Sequence, residues 1–356
     1  MILDPLLDFF RGKAVTIPPM DGALRPNTAL EEAEVVLETS SPDNLCCDGS
    51  RVYFSAGSQV FELPAAPGAA PKSIAGYDAA VTALAASPSG TLATALDDGR
   101  LFVGTKAVPA PAGLACPTAL AFGDADSLYV CQGSAEYRAS DWVADLMTKK
   151  ATGSVWQIDN ASGKAACLAD KLAFPQGVLV SGDGTGIVVS ESWRHRLMRL
   201  PAGGGAAAPI LSKLPGYPAR LAPATDGGAW LTLFAPRNRL IEFVLQEEEY
   251  RLAMIREVPR EYWIAPALSS GRSFLEPLQC GGIKTMGIHK PWSPSRSYGL
   301  VARLGADLQP VTSFHSRANG TRHGITSVVE VAGRTLITAK GGGGILSIGN
   351  NAGGEA

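Results

Sequence analysis

The stretch FPQGVLVSGDGTGIVVSESWRHRLMRL, Phe174 to Leu200, holds two apolar runs separated by Gly182-Asp183-Gly184 and a third run in which Arg and Leu alternate. Short β-branched runs broken by a Gly-Asp-Gly turn read as antiparallel strands in a hairpin and its continuation. The lead-in to the first strand is Pro175-Gln176-Gly177. Working outward from this hairpin, the same unit recurs: a Pro or polar lead-in, an apolar strand, a Gly/Asp turn, a second strand, a polar turn and a third strand. It appears as PDNLCCDGSRVYFSAGSQVFEL from Pro42, VTALAASPSGTLATALDDGRLFVG from Val81 and PTALAFGDADSLYVCQGS from Pro117. It returns as PARLAPATDGGAWLTLFAPRNRLIEF from Pro218 and GITSVVEVAGRTLITAKGGGGILSIG from Gly324.

Six copies of a three-strand core, with room for a fourth strand after most of them, predict an all-β chain folded as a six-bladed β-propeller. Radial repetition removes the long exposed sheet edges that an all-β chain must otherwise protect. The run AEVVLET, Ala33 to Thr39, has no blade of its own and is expected to close the ring on the sixth blade. Residues 33–350 then form the propeller, with 1–32 as an N-terminal arm and 351–356 as a tail. The widest interval lies between the fifth and sixth copies. It includes LQEEEYRLAMIREV, Leu245 to Val258, whose Leu252, Ile255 and charged neighbours fit helical turns, and it re-enters strand at Tyr298. An insertion over about 245–297 is expected to cap one propeller face between blades five and six, since loops on a rigid scaffold usually carry the ligand contacts.

The net charge of −2 across 356 residues offers no basic footprint for nucleic acid or an acidic membrane surface. Forty glycines and twenty-five prolines are spread between apolar runs, as turn-rich β architecture requires. The six cysteines, Cys46, Cys47, Cys116, Cys131, Cys167 and Cys280, show no CxxC or CxH spacing and read as free buried thiols. The start, MILDPLLDFFRGKAV, lacks a basic leader and is too short in apolar run to span a membrane. Together these features point to a cytoplasmic setting. The Leu3, Leu6, Leu7, Phe9, Phe10 cluster admits either a packed arm or a docking segment, residues 1–12, for a transporter or other membrane-associated partner.

The hairpin at Phe174 resembles a blade of the strictosidine synthase-like proteins, in which the lead-in is usually Pro-Asn-Gly and the second strand ends in Ala-Glu-Thr. LPGYPARLAPATDGGAWL resembles the next blade of that family, SPDNL its first-blade Gly-Pro-Glu, and GITSVVEVAGRTLI its closing Ser-Val-Glu-His-Asp-Gly strand. The resemblance implies a propeller related to the gluconolactonase and paraoxonase lactonases. In those relatives a divalent ion, usually calcium, sits in the central channel on carboxylate and Asn side chains and polarises an ester or lactone carbonyl.

Set against that family pattern, Asp43 stands at the Glu position and Gln176 at the Asn position, the metal candidates if an ion is bound. The next pair, usually Asp-Asn, is Ala219-Arg220. A guanidinium repels a dication and pairs with a carboxylate, so a metal-free channel in which Arg220 and Asp43 fill the ion's space is the preferred expectation. The alignment puts His323 where the family's plant Pictet–Spengler enzyme has its proton-managing Glu. A neutral His can serve as general base, or simply satisfy a neighbouring carbonyl in its loop. It cannot stabilise an iminium ion as a carboxylate does, which argues against strictosidine synthesis itself. Glu191, at the family's Ala-Glu-Thr glutamate, is expected to orient a channel base, to pair with Arg220 or to serve a structural ion pair. Gln176 and Trp193 are candidate substrate contacts, and so are Arg272, Glu276, His289 and Trp292 of the insertion, whose aromatic and charged side chains equally suit packing of a Pro-rich lid. No GxSxG elbow or HExxH motif is present.

The resulting expectation is a small-molecule hydrolase of esters or lactones, with His323 activating water and Arg220 holding a carboxylate or the oxyanion. The alternative is a non-catalytic small-molecule-binding propeller, in association with a transporter through the N-terminal segment.

Overall fold

The computed structural model describes residues 17–64, 68–123, 127–182, 184–202, 205–270, 284–285, 288–289 and 295–349, the two short pairs as backbone alone. After a short helix α1 (Ala29–Glu32) and strand β1 (Glu34–Glu38), the chain lays down six four-stranded antiparallel sheets. Blade one is β2 (Pro42–Cys47), β3 (Val52–Ala56), β4 (Gln59–Leu63) and β5 (Lys72–Gly76). Blade two is β6 (Val81–Ala86), β7 (Leu92–Leu96), β8 (Leu101–Val103) and β9 (Lys106–Val108). Blade three joins β10 (Pro117–Phe122), β11 (Ser127–Gln132), β12 (Gly153–Asp159) and β13 (Ala165–Leu172), with helix α2 (Trp142–Thr148) between its second and third strands. Blade four is β14 (Pro175–Val180), β15 (Gly186–Glu191), β16 (Arg196–Pro201) and β17 (Ala208–Leu211).

Blade five corrects the expected placement of the insertion. Its first two strands are β18 (Gly216–Pro223) and β19 (Ala229–Pro236). Helices α3 (Arg239–Gln246) and α4 (Glu248–Glu257) and a small hairpin of β20 (Lys284–Thr285) and β21 (Ile288–His289) then intervene. The sheet resumes with β22 (Leu300–Leu304) and β23 (Pro310–His315). The inserted residues therefore lie inside blade five and not between blades five and six. The run RLIEF, expected as a third strand, is helical for a local reason. Asn238 caps it by accepting from the Leu240 N–H at 2.8 Å, and Ile241, Val244 and Leu245 bury one face. Blade six is β24 (Ile325–Val331), β25 (Arg334–Ala339) and β26 (Gly344–Gly349), completed by β1 from the other end of the chain.

Packing explains why β15 reads GIVVSE with no polar alternation. Val188 faces Leu231 and Leu233 of blade five, while Ile187 and Val189 face Cys131 and Val155 of blade three. A strand clamped between two blades buries both faces, so every residue of β15 is buried. Gly177 is explained by the same clamp. A Cβ there would stand 2.4 Å from the Ala219 carbonyl oxygen of blade five, so only glycine permits the approach.

Candidate functional site in the central channel

The first strand of each blade lines the channel, and each carries an irregularity near its start. Pairing steps from Val81 to Ala83 in β6, from Pro117 to Ala119 in β10, from Pro175 to Gly177 in β14 and from Ile325 to Ser327 in β24. Thr82, Thr118, Gln176 and Thr326 are thereby bulged out of their ladders, and in β18 the same interruption takes in Ala219 and Arg220. A bulged residue is excused from the ladder, so its backbone groups need another partner.

Three of those carbonyls find it in one side chain. Arg220 Nη2 donates to the carbonyl oxygens of Thr82 at 2.6 Å and Thr118 at 3.1 Å, and Nη1 donates to that of Thr326 at 3.4 Å. Nη1 also donates to Asp43 Oδ1 at 2.8 Å. One guanidinium thus ties together strands from blades one, two, three, five and six. Asp43 is buried, and its Oδ2 accepts from Lys340 Nζ at 2.8 Å. Burial pushes the Asp43 carboxyl up, but the charges of Arg220 and Lys340 outweigh it and hold the group well below the usual carboxylate range.

Above this cluster lies a cavity of about 260 Å³. Its polar wall is Asp43, Asp97, Gln176, Arg220 and Lys340, and its apolar wall includes Trp142, Phe174, Phe234 and Leu268. The topology brings these together. Pro117 pairs with Gln132 and Gly216 with Pro236, so the connection after each second strand emerges on the face where the first strand begins. Asp97, Trp142, Leu268 and Lys340 all follow second strands, of blades two, three, five and six. Asp97 is held by Ser140, which donates its N–H at 3.0 Å and its hydroxyl at 2.8 Å.

Arg220, Asp43 and Gln176 therefore share one wall. Gln176 Oε1 accepts from Ser192 Oγ at 3.1 Å. His323, Glu191 and Trp193 lie elsewhere. His323 is buried and absent from the cavity wall; its Nε2 donates to the Arg317 carbonyl at 2.7 Å, leaving Nδ1 to accept from Ser297 Oγ at 2.7 Å. The loop carrying His323 is folded inward, and both ring nitrogens are committed. Glu191 does not pair with Arg220. It accepts from Arg194 Nη1 and Arg196 Nε, both at 2.5 Å, which the turn after β15 brings beneath it, and from the N–H of Ala173, just before β14, at 2.7 Å. Trp193 stacks on Phe174 at 4.5 Å and donates to Asp145 Oδ1 at 2.7 Å, one layer behind the cavity wall. Arg272, Glu276, Trp292 and the N-terminal residues 1–12 lie outside the described residues, as does the side chain of His289.

Sequence reasoning missed Lys340, Trp142, Phe174, Phe234 and the three threonines. A signal for the last was present in the aligned lead-ins Val81-Thr82-Ala83, Pro117-Thr118-Ala119 and Ile325-Thr326-Ser327. Of the cysteines, Cys116 and Cys131 are buried, whereas Cys167 is exposed on β13.

The residues present do not fit a calcium ion. The oxygens that would ligate it, on Asp43, Thr82, Thr118 and Thr326, already receive the Arg220 guanidinium, and two fixed cations beside one carboxylate oppose a third. Among the described residues no group of three or more His, Cys, Asp or Glu side chains is placed to hold a metal.

Residues 119–202 match the strictosidine synthase family model. The matched segment runs from β10 through blade three and most of blade four, including the hairpin at Phe174. Strictosidine synthase-like 10 of Arabidopsis thaliana is 26% identical over 133 residues, 37% of this chain and 36% of that protein. The adipocyte plasma membrane-associated protein of Danio rerio is 24% identical over 173 residues, 43% of this chain and 42% of that protein. The strictosidine synthase-like match thus spans well under half the length of these relatives. Among solved structures, a gluconolactonase from Xanthomonas campestris superposes with a TM-score of 0.55 at 12% identity, covering 88% of this chain and 87% of that one. A calcium-binding protein, regucalcin, from Agrobacterium tumefaciens gives 0.51 at 14% identity, covering 91% and 93%. These likenesses establish the six-bladed propeller as the shared architecture. No described helix is long and apolar enough to cross a membrane.

Proposed function

We propose that the upper cavity binds a compact cyclic molecule, with an apolar ring face against Trp142, Phe174 and Phe234 and a hydrogen-bond acceptor directed at Lys340. The observation that carries this reading is the state of Lys340. Asp43 fixes its ammonium at the cavity wall while using one of its three donors. Arg220, by contrast, commits all four of its terminal N–H groups to the protein. Asp43 meets a cation on each oxygen, so it is held as a structural anion and is a poor proton carrier. The volume is just below the ~300 Å³ at which ligand pockets usually begin, which restricts the ligand to a small ring system.

A lactone carries the required ring and carbonyl, and the gluconolactonase-like fold favours hydrolysis of such a ligand as the second reading. Titration of wild type with benzoate and with δ-valerolactone, followed by Trp fluorescence and by product assay, separates the two. Binding without turnover, weakened at least tenfold in Lys340→Ala, is the expected result. Turnover of the lactone or of an aryl ester that Lys340→Ala abolishes would replace binding by hydrolysis, and no binding of either probe would defeat both. Free Cys46, Cys47, Cys116, Cys131 and Cys167 support a cytosolic setting.

A further inference from the structure

Below Arg220 the channel changes character. The fifth position of each inner strand, three residues beyond the bulge, is apolar or a thiol: Cys46, Ala85, Ala121, Leu179 and Val329, with Ala222 in β18. These side chains wall a second cavity of about 330 Å³, larger than the upper one and separated from it by Arg220, which lines both. Its size falls in the range of small-molecule sites, and cavities with apolar walls accept hydrocarbon in preference to water.

The charges at its two ends differ in sign. Arg220 stands at the inner end, and behind it, on the wall of the upper cavity, lie Asp43 and Lys340; the three together carry two positive charges against one negative, which leaves one in excess. Arg220 also keeps one donor unused, because its buried Nε–H meets no acceptor among the described residues. Toward the other end stands Glu330, ionised and held by Thr225 Oγ at 2.6 Å and Trp230 Nε1 at 2.8 Å. A buried carboxylate needs a cation to offset its desolvation, and among the described residues lining this cavity Arg220 at the inner end is the one that carries a positive charge.

We propose that the lower half of the channel is a second ligand site, taking a linear aliphatic monocarboxylate with its head toward Arg220 and its chain along Ala121, Leu179 and Val329. This site is independent of the ligand of the upper cavity. Calorimetric titration of the full chain with dodecanoate, below its micelle concentration, and with dodecan-1-ol tests it. One dodecanoate per chain is expected, bound at least tenfold more tightly than the alcohol. Ala121→Trp and Leu179→Trp, which fill the lower cavity, should each weaken dodecanoate at least tenfold, whereas Trp142→Ala above should change it less than twofold. A crystal structure of wild type soaked with dodecanoate gives the answer without variants, through chain density beside Ala121 and Leu179. Absence of saturable binding, equal affinity for acid and alcohol, or density beside Trp142 instead would overturn the assignment.

Discussion

Arg220 does at the residue scale what a bound cation does in other channels: it gathers oxygens from strands that have no covalent link near them. The consequence is energetic as well as geometric. Removing it leaves the carbonyls of Thr82, Thr118 and Thr326 without this donor and leaves Asp43 with Lys340 as its sole cation. Breaking a buried charge pair from one side costs about 3–5 kcal/mol, because the surviving charge stays buried. Because Lys340 still pairs with Asp43, Arg220→Met is expected to lower stability by about 3 kcal/mol, the lower end of that range, and Arg220→Met combined with Asp43→Asn by less than the sum of the two single changes. Urea unfolding of the four proteins checks this; additive losses would show that the pair acts as two independent residues. The pairing of Arg220 with a carboxylate was legible from charge alone. The carbonyl ligands were not, since nothing in a Thr-Ala dipeptide announces that its backbone is bulged.

At the element scale, the helices inserted in blade five are anchored through one buried carboxylate. Glu242 of α3 accepts from Tyr217 OH at 3.0 Å and Arg237 Nη2 at 3.0 Å, and stands 3.5 Å from His195 Nε2. Burial pushes the Glu242 carboxyl up, but the contacts with His195 and Arg237 prevail and bring it to about 2. A carboxylate depressed in the folded state contributes stability that is complete above its ordinary value near 4.5 and is lost as pH falls toward about 2. Thermal unfolding between pH 6 and pH 2.5 should show a loss over that window, flattened in Glu242→Gln, which should also be less stable at pH 6. An identical pH profile in the variant would exclude Glu242 as the anchor. The strand expected over RLIEF failed here because five residues carry too few periods to separate a helix from a strand. Asn238 was the available signal, a capping residue directly before the run.

At the scale of the whole molecule, the ring is closed by non-covalent pairing of its two ends. β1 pairs antiparallel with β26, Leu37 packs in the cluster containing Phe54, Leu336 and Ile345, and Glu34 meets Arg334 Nη2 at 3.0 Å. Leu37→Pro removes a strand N–H and that packing, and by analogy with helix interiors should cost about 3 kcal/mol or more. Circular dichroism on heating should then show an earlier, broader transition than in wild type, as blades one and six separate before the rest. A sharp transition at the wild-type temperature would mean that closure adds nothing to cooperativity.

The repeat of lead-in, strand and Gly/Asp turn determined the propeller by itself. A period of apolar runs that recurs six times has few ways to bury both faces of every sheet, and radial stacking is one that also protects the edges. The resemblance to strictosidine synthase-like blades placed Asp43, Gln176 and Arg220 on the first strands of three blades, and those strands line one channel. Only the tertiary structure decided the fate of His323, the partners of Glu191 and the walls of the two cavities. Those depend on residues such as Trp142, Leu268 and Lys340, carried on connections from different blades, whose meeting is set by the closure of the ring and not by any spacing along the chain.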